Sequence, residues 1–184
     1  MSGTAFTSHA LGRPWCQAIE LTDGTRLLMR PIQPSDAQML QAGFLTLTPQ
    51  EIRMRFLHPL NELTAGYAER LCRIDPESEF ALVLVEAKPP SEARIAAVAR
   101  VAIDDDGQEA EFAVILGREI RRFGLGRYLV GQLADWCRTQ GLKAMYGFIL
   151  AENRPMLDLM RKMGFHLGPS DVDTGVMLAR LPLN

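Results

Sequence analysis

Polar and apolar positions recur with two different periods along this chain, and the places where the period changes mark its elements. Short apolar stretches at 19–21 and 26–32 flank Asp23-Gly24, which predicts a β-hairpin closed by a tight turn. A helical pattern over 36–46 follows, with Ser35 as the expected N-cap. Thr48-Pro49-Gln50-Glu51 predicts a second helix start: Thr48 caps, Pro49 takes the first turn and Glu51 closes a capping box. That helix runs to about Leu57, where His58-Pro59 stops it, and Thr64 opens a third helix through Arg73.

Beyond Asp75-Pro76 the period shortens to that of strands. Residues 80–86 form an apolar run, Lys88-Pro89-Pro90-Ser91 a loop, 94–103 a second strand and 109–116 a third. Leu125, Leu129, Leu133, Trp136 and Cys137 then fall on one face of a helix over 124–140 that Gly141 ends. Residues 143–150 read as a strand, 153–163 as a helix stopped by Gly164, and 175–181 as a last strand. Because a helix separates them, strands 109–116 and 143–150 must run parallel. The expected class is therefore α/β (α+β): a mixed, mostly antiparallel sheet flanked by helices, not a doubly wound one.

Length and charge narrow the choice further. The 184 residues suit one domain, read as 17–184 after a flexible N-terminal tail over 1–16. A formal charge of −2 leaves no footprint for nucleic acid. Cys16, Cys72 and Cys137 lie far apart without a CxxC pair or neighbouring histidines, so no zinc site and no disulfide framework are expected. No apolar run approaches the roughly 18 residues that span a bilayer, and 1–14 lacks a signal-peptide pattern, which points to a cytoplasmic protein without a membrane partner. Asp104-Asp105-Asp106-Gly107 reads as a turn, since the calcium-loop spacing is missing.

The chemistry concentrates in Arg121-Arg122-Phe123-Gly124-Leu125-Gly126, between a strand and a helix start. A helix N-terminus leaves N–H groups unpaired and carries partial positive charge, which suits a phosphate. Gly124 and Gly126 remove side chains where a ligand meets main chain. Gly126 is followed by Arg127-Tyr128, not by the Lys-Ser/Thr of a Walker loop, and the third glycine of a dinucleotide fingerprint is missing. Arg121, Arg122 and Arg127 are unusual at a helix start unless an anion joins them.

This Arg-x-x-Gly-x-Gly spacing resembles the acetyl-CoA pyrophosphate loop of the GNAT superfamily of N-acetyltransferases. Asn153 followed by Met163-Gly164-Phe165 resembles that family's last-helix segment, in the expected order. Thr48 to Leu57 and the strand Ala110-Glu111-Phe112-Ala113-Val114 are similar to segments of bacterial protein-lysine acetyltransferases. In those enzymes the domain often follows an acyl-CoA-synthetase-like or cyclic-nucleotide domain, and this sequence contains neither.

The resemblance implies acetyl-CoA as cosubstrate, no metal, and an amine acceptor, with a protein lysine favoured over a small amine. A CoA-binding sensor without catalysis is the reading from another class. It also implies that strands 109–116 and 143–150 splay apart, so that pantetheine pairs with the main chain of Val114, Ile115 and Leu116. The loop from Arg121 through Arg122, Phe123, Gly124, Leu125 and Gly126 to Arg127 would hold the pyrophosphate, and Asn153 either bonds the cofactor or caps its helix. Glu111 takes the role of general base by the same likeness, with Glu109 as its rival on the same strand face. Met160 stands where many relatives carry a tyrosine acid, so no general acid is assigned. Arg55 and Phe56 are candidates for the acceptor mouth or for an ion pair and a core aromatic; His58 reads as a loop residue and Cys137 as core.

Overall fold

In the computed structural model, which describes residues 5–184, strands β1 (Phe6–Ala10), β2 (Gln17–Leu21) and β3 (Arg26–Pro31) come first. Helices α1 (Ala37–Phe44), α2 (Pro49–Phe56) and α3 (Ala65–Cys72) follow. Then come β4 (Glu79–Glu86), β5 (Ile95–Ile103), β6 (Glu109–Leu116), helix α4 (Leu125–Thr139) and β7 (Ala144–Leu150). Helix α5 (Arg154–Lys162), β8 (His166–Pro169) and β9 (Val176–Pro182) complete the chain. The nine strands among the described residues form one sheet in the order β1-β2-β3-β4-β5-β6-β7-β9-β8. Its one parallel pair among those residues is β6 with β7, as the intervening helix requires.

Local chemistry explains most of the boundaries. Gly24 closes the β2–β3 hairpin at φ 88°, a conformation that favours glycine, while Thr25 N–H donates to Asp23 at 2.9 Å. Thr48 caps α2 by accepting from Glu51 N–H at 3.1 Å, and Glu51 accepts from Thr48 N–H at 2.8 Å. Thr64 caps α3 in the same manner, accepting from Tyr67 N–H. Ser35, expected to cap the first helix, does not. A 3₁₀ turn over Pro34–Asp36 precedes α1, and the buried Asp36 carboxylate accepts from Gln33 N–H at 2.7 Å and from Arg30 at 2.7 and 2.8 Å.

The reading of 1–16 as a flexible tail also needs correction. Residues 1–4 lie outside the described part, but Phe6–Ala10 pairs in antiparallel register with β2, from Phe6↔Leu21 to Ala10↔Gln17. Only Phe6 of this edge strand is buried, so its ladder is main-chain bonding and leaves no alternation to read. The domain therefore begins before residue 17. Strand β8 was missed for a similar reason: its four residues include Gly168 and Pro169 and form the opposite edge.

The two faces of the sheet carry separate cores. Leu82, Leu84, Ala99, Val101 and Phe112 pack under α4, whose Leu125, Leu129 and Leu133 are fully buried. Burying one such leucine contributes roughly 1.5–3 kcal/mol. On the opposite face Ala81, Val83, Val85 and Val98 meet Leu40 and Cys72 of α1 and α3. A third, small core of Phe44, Ile52, Leu63 and Ala68 holds α1, α2 and α3 to one another.

Strands β6 and β7 pair only at Glu109↔Ala144, Ala110↔Met145 and Glu111↔Tyr146, and then part. The next residue on β6 is Phe112, and its ring lies directly against Gly147. A Cβ at Gly147 would sit 2.6 Å from Phe112 Cε1, so only glycine leaves space for the ring there. Phe165 closes over the same ring at a centroid distance of 5.6 Å. The splay is thus wedged open by a packed aromatic.

Helix α2 is tied to the segment after β6 through Glu51. Its carboxylate accepts from Arg118 at 2.8 and 3.1 Å and from Arg121 at 2.9 Å. Arg118 first, and then Thr48 N–H and Arg121, hold its pKa down at about 2 against the opposing effect of burial. Two outcomes are expected. Gly147→Ala should cost about 1–3 kcal/mol, because it overpacks the Phe112 wedge; denaturant midpoints measure it. Glu51→Gln should cost about 1–2 kcal/mol near neutral pH. A depressed carboxylate stabilises above its unfolded pKa, so the difference from wild type should persist above about 4.5 and vanish as the pH falls toward 2. Thermal melts across that range check it.

Candidate active site

At the end of β6 the chain turns through Gly117 into a 3₁₀ segment, Arg118–Phe123, and enters α4 at Gly124. Gly124 takes φ 83°, the left-handed conformation that makes glycine the fitting residue at this junction. Ile120, Phe123 and Leu125 are buried, so they anchor the loop and can offer a ligand main chain only. No side chain caps α4, and its first-turn N–H groups retain their donors and partial positive charge. A Cβ on Gly126 would lie 3.4 Å from Leu159 and 3.8 Å from Leu116, an ordinary contact. The loop therefore meets α5 and the end of β6 at this glycine.

The arginines of the loop divide into two kinds. Arg121 is engaged within the protein: its Nε donates to the Leu116 carbonyl at 3.0 Å and its Nη2 to Glu51. Arg122 is 75% exposed, stacks over Phe123 and stands 3.8 Å from Asp23. Arg127 reaches the Lys162 carbonyl at 3.4 Å, close to the limit of a hydrogen bond. Arg118, which sequence reasoning passed over, holds both Glu51 and the Thr46 carbonyl.

Strand phase decides which main-chain groups face the splay. Gly117 N–H donates to the Ala96 carbonyl on β5, and Lys143 N–H to that of Gln108 on the β7 side. By alternation, Val114 and Leu116 point their N–H and C=O groups toward the gap, where Arg121 already engages the Leu116 carbonyl, while those of Ile115 belong to the ladder with β5. The expected Ile115 main-chain contact is corrected accordingly. Its side chain instead lines a cavity on the helix-covered face. Asn153 caps α5, its Oδ1 accepting from Met156 N–H at 3.4 Å.

Glu111 and Tyr146 face each other across the last paired position before the strands part. The Glu111 carboxylate has no ion pair or hydrogen bond among the described residues. Partial desolvation, and then Asp104, raise its pKa, while Arg55 opposes the shift. Glu109, by contrast, is held by Arg180 at 2.5 and 3.2 Å. Tyr146 donates to Asp104 at 2.8 Å, and burial with that carboxylate pushes its pKa up. Tyr128 donates to Gln17, and Met160 is fully buried in the core.

A cavity of about 180 Å³ lies between α1, α2 and the β5–β6 face. Arg55 and Phe56 both line it, with the Arg55 guanidinium 4.8 Å above the Phe56 ring. Arg100 of β5 lines it too and was missed from sequence, although a lone arginine in an otherwise apolar strand was its visible signal. His58 bonds the Pro59 carbonyl in an exposed loop, and Cys137 is buried.

The chain resembles known proteins along most of its length. Residues 26–166 match the family described as the acetyltransferase (GNAT) domain. A Pseudomonas aeruginosa protein named as an acetyltransferase is 28% identical over 162 residues, 88% of this chain and 85% of that one. Among solved structures, the GNAT domain of S. lividans PAT superposes with a TM-score of 0.79 at 21% identity, covering 95% of this chain and 100% of that one. Spermidine N-acetyltransferase from Vibrio cholerae, solved with CoA and spermine, gives 0.68 at 19% identity, with 85% and 95% covered. The overall fold is thus shared with these structures, and the chain belongs to the GNAT family of acetyltransferases.

Proposed function

We propose that this protein transfers the acetyl group of acetyl-CoA to a primary amine, a protein lysine side chain, with Glu111 as general base. The observation that carries this reading is the unpartnered Glu111 carboxylate at the point where β6 and β7 separate, beside a rival Glu109 that Arg180 neutralises. Acetyl-CoA supplies an activated thioester. The main chain of Val114 and Leu116 and the first-turn N–H groups of α4 suit its amides and pyrophosphate. Arg127, which makes no ion pair among the described residues, and Arg122, whose contact with Asp23 is a loose 3.8 Å, are the arginines most available to phosphate, while Arg121 would exchange Glu51 for it.

A lysine ammonium must lose its proton before it attacks, a cost of roughly 4–5 kcal/mol near neutral pH. Glu111 accepts that proton directly or through water, and its raised pKa brings it closer to the amine it must deprotonate. The neutral amine nitrogen then bonds to the carbonyl carbon, the C–S bond breaks, the nitrogen's second proton passes through water to the thiolate, and Glu111 returns the first to solvent. No protein acid is assigned, since the thioether of Met160 has no proton to donate.

The likeness of Thr48–Leu57 to protein-lysine acetyltransferases and the fold shared with S. lividans PAT support a protein acceptor. Small amines form the second reading, favoured by the cavity that Arg55 and Arg100 line on the β5–β6 face. A cytoplasmic setting fits the three free cysteines. Among the described residues, no helix is long and apolar enough to cross a membrane.

Two variants test this reading. Acetyl-CoA should raise the melting temperature of the wild type, and Gly126→Glu should abolish that rise by setting a carboxylate against the phosphates. An unchanged rise would move the cofactor elsewhere. Glu111→Gln should lower turnover by roughly 10²–10⁴-fold with acetyl-CoA affinity intact. It should not lower the melting temperature, because a carboxylate with a raised pKa weakens the fold above that pKa. If Glu109→Gln loses the rate instead, the assignment passes to Glu109.

A further inference from the structure

Two arginines sharing one cavity repel each other, and no carboxylate among the described residues pairs directly with Arg55 or Arg100. Neither makes an ion pair or a hydrogen bond among the described residues. Burial, and for Arg55 also the charge of Arg100, shift both guanidinium pKa values down, Arg55 to about 10, so both remain charged near neutral pH. The walls around them are apolar, with Leu40, Phe44, Leu63 and Ile115 among them. Stacking of Arg55 on Phe56 offsets only part of the desolvation. Of the acidic groups nearby, Glu51 is occupied by Arg118 and Arg121, Glu119 sits on the lining beside Gly117, and Glu79 and Glu111 act on the pair only through space.

A guanidinium presents a planar fork that matches a carboxylate with two parallel hydrogen bonds. An entering carboxylate would neutralise the pair and relieve its repulsion. Arg55 also acts electrostatically on Glu111, which makes the cavity and the base neighbours. We propose that Arg55 and Arg100 are the receptor for a carboxylate carried by the acceptor, so that the substrate class is an amine with an anionic group close by. For a protein acceptor this means a lysine beside an aspartate or glutamate. The inference rests on the reading of the chain as an amine acetyltransferase. It excludes polyamines, whose charge the same arginines repel.

The test uses the full chain, acetyl-CoA, and lysine peptides that differ only in a neighbouring Glu, Gln or Lys. The Glu peptide should exceed the Gln peptide in kcat/KM by roughly 10- to 100-fold, with the Lys peptide lowest. Arg100→Gln should collapse the Glu-to-Gln ratio, and Arg100→Lys should restore part of it. An unaltered acetyl-CoA melting shift certifies that each variant is folded. Free lysine and lysinamide, run alongside, separate the sources. A carboxylate preference confined to free lysine assigns the receptor to a small acceptor. Equal rates within both sets overturn the proposal. If no amine is acetylated, the transferase reading fails, yet the receptor is still tested by titrating the CoA-loaded protein with acetyl-lysine peptides bearing Glu or Gln. Tighter binding of the Glu peptide that Arg100→Gln abolishes upholds it, and equal binding overturns it.

Discussion

A parallel strand pair that stops pairing after three residues leaves main-chain donors and acceptors exposed, and the rest of this structure is arranged around that interruption. Antiparallel neighbours on both flanks, β5 beside β6 and β9 beside β7, hold each strand in place by its other edge. The gap can therefore persist without unravelling the sheet. The Phe112 ring against Gly147 fixes where the separation begins, and Phe165 covers the ring from behind. Helix α4 starts just past the end of β6, so its positive end arrives at the same opening.

Charge is distributed with the same economy of position. Carboxylates that serve structure are bound: Asp36 to Arg30, Glu51 to Arg118 and Arg121, Glu109 to Arg180. Glu111 stands apart from these, only two residues from Glu109 on the same face. A difference of partners, set by Arg180 reaching Glu109 from β9 two strands away, separates two side chains that the sequence presents as equivalents. Salt screens the exposed pairs and leaves the partly buried ones largely intact.

Features that depend on neighbours in sequence were legible before the structure. The Thr48 capping box, the Asp23-Gly24 turn and the parallel relation of β6 and β7 need only local chemistry or chain connectivity. Features that depend on partners across the fold were not. Arg121 looks like a free phosphate ligand until Glu51, far away in sequence, is brought to it. Ile115 cannot be separated from Val114 and Leu116 without knowing which edge of β6 is already paired. Arg100 stood out in its strand, but its lack of a counterion appears only when α1 and α2 close over it. Ser35 lost its capping role because Asp36, one residue on, answers to Arg30 on a neighbouring strand.

The helices that wall the cavity, α1 to α3, form one uninterrupted stretch of chain between β3 and β4 and have a small core of their own. Their mutual packing through Phe44, Ile52, Leu63 and Ala68 is separate from the larger core beneath α4. Apart from Leu40 and Cys72, which pack on the sheet, and Glu51, which holds Arg118 and Arg121, changes in this stretch fall away from the strand that carries Glu111 and the helix start beyond it. Such a partition lets selection rewrite the partner that is recognised while the chemistry stays fixed. Lineages could then diverge in specificity by exchanging a single contiguous segment.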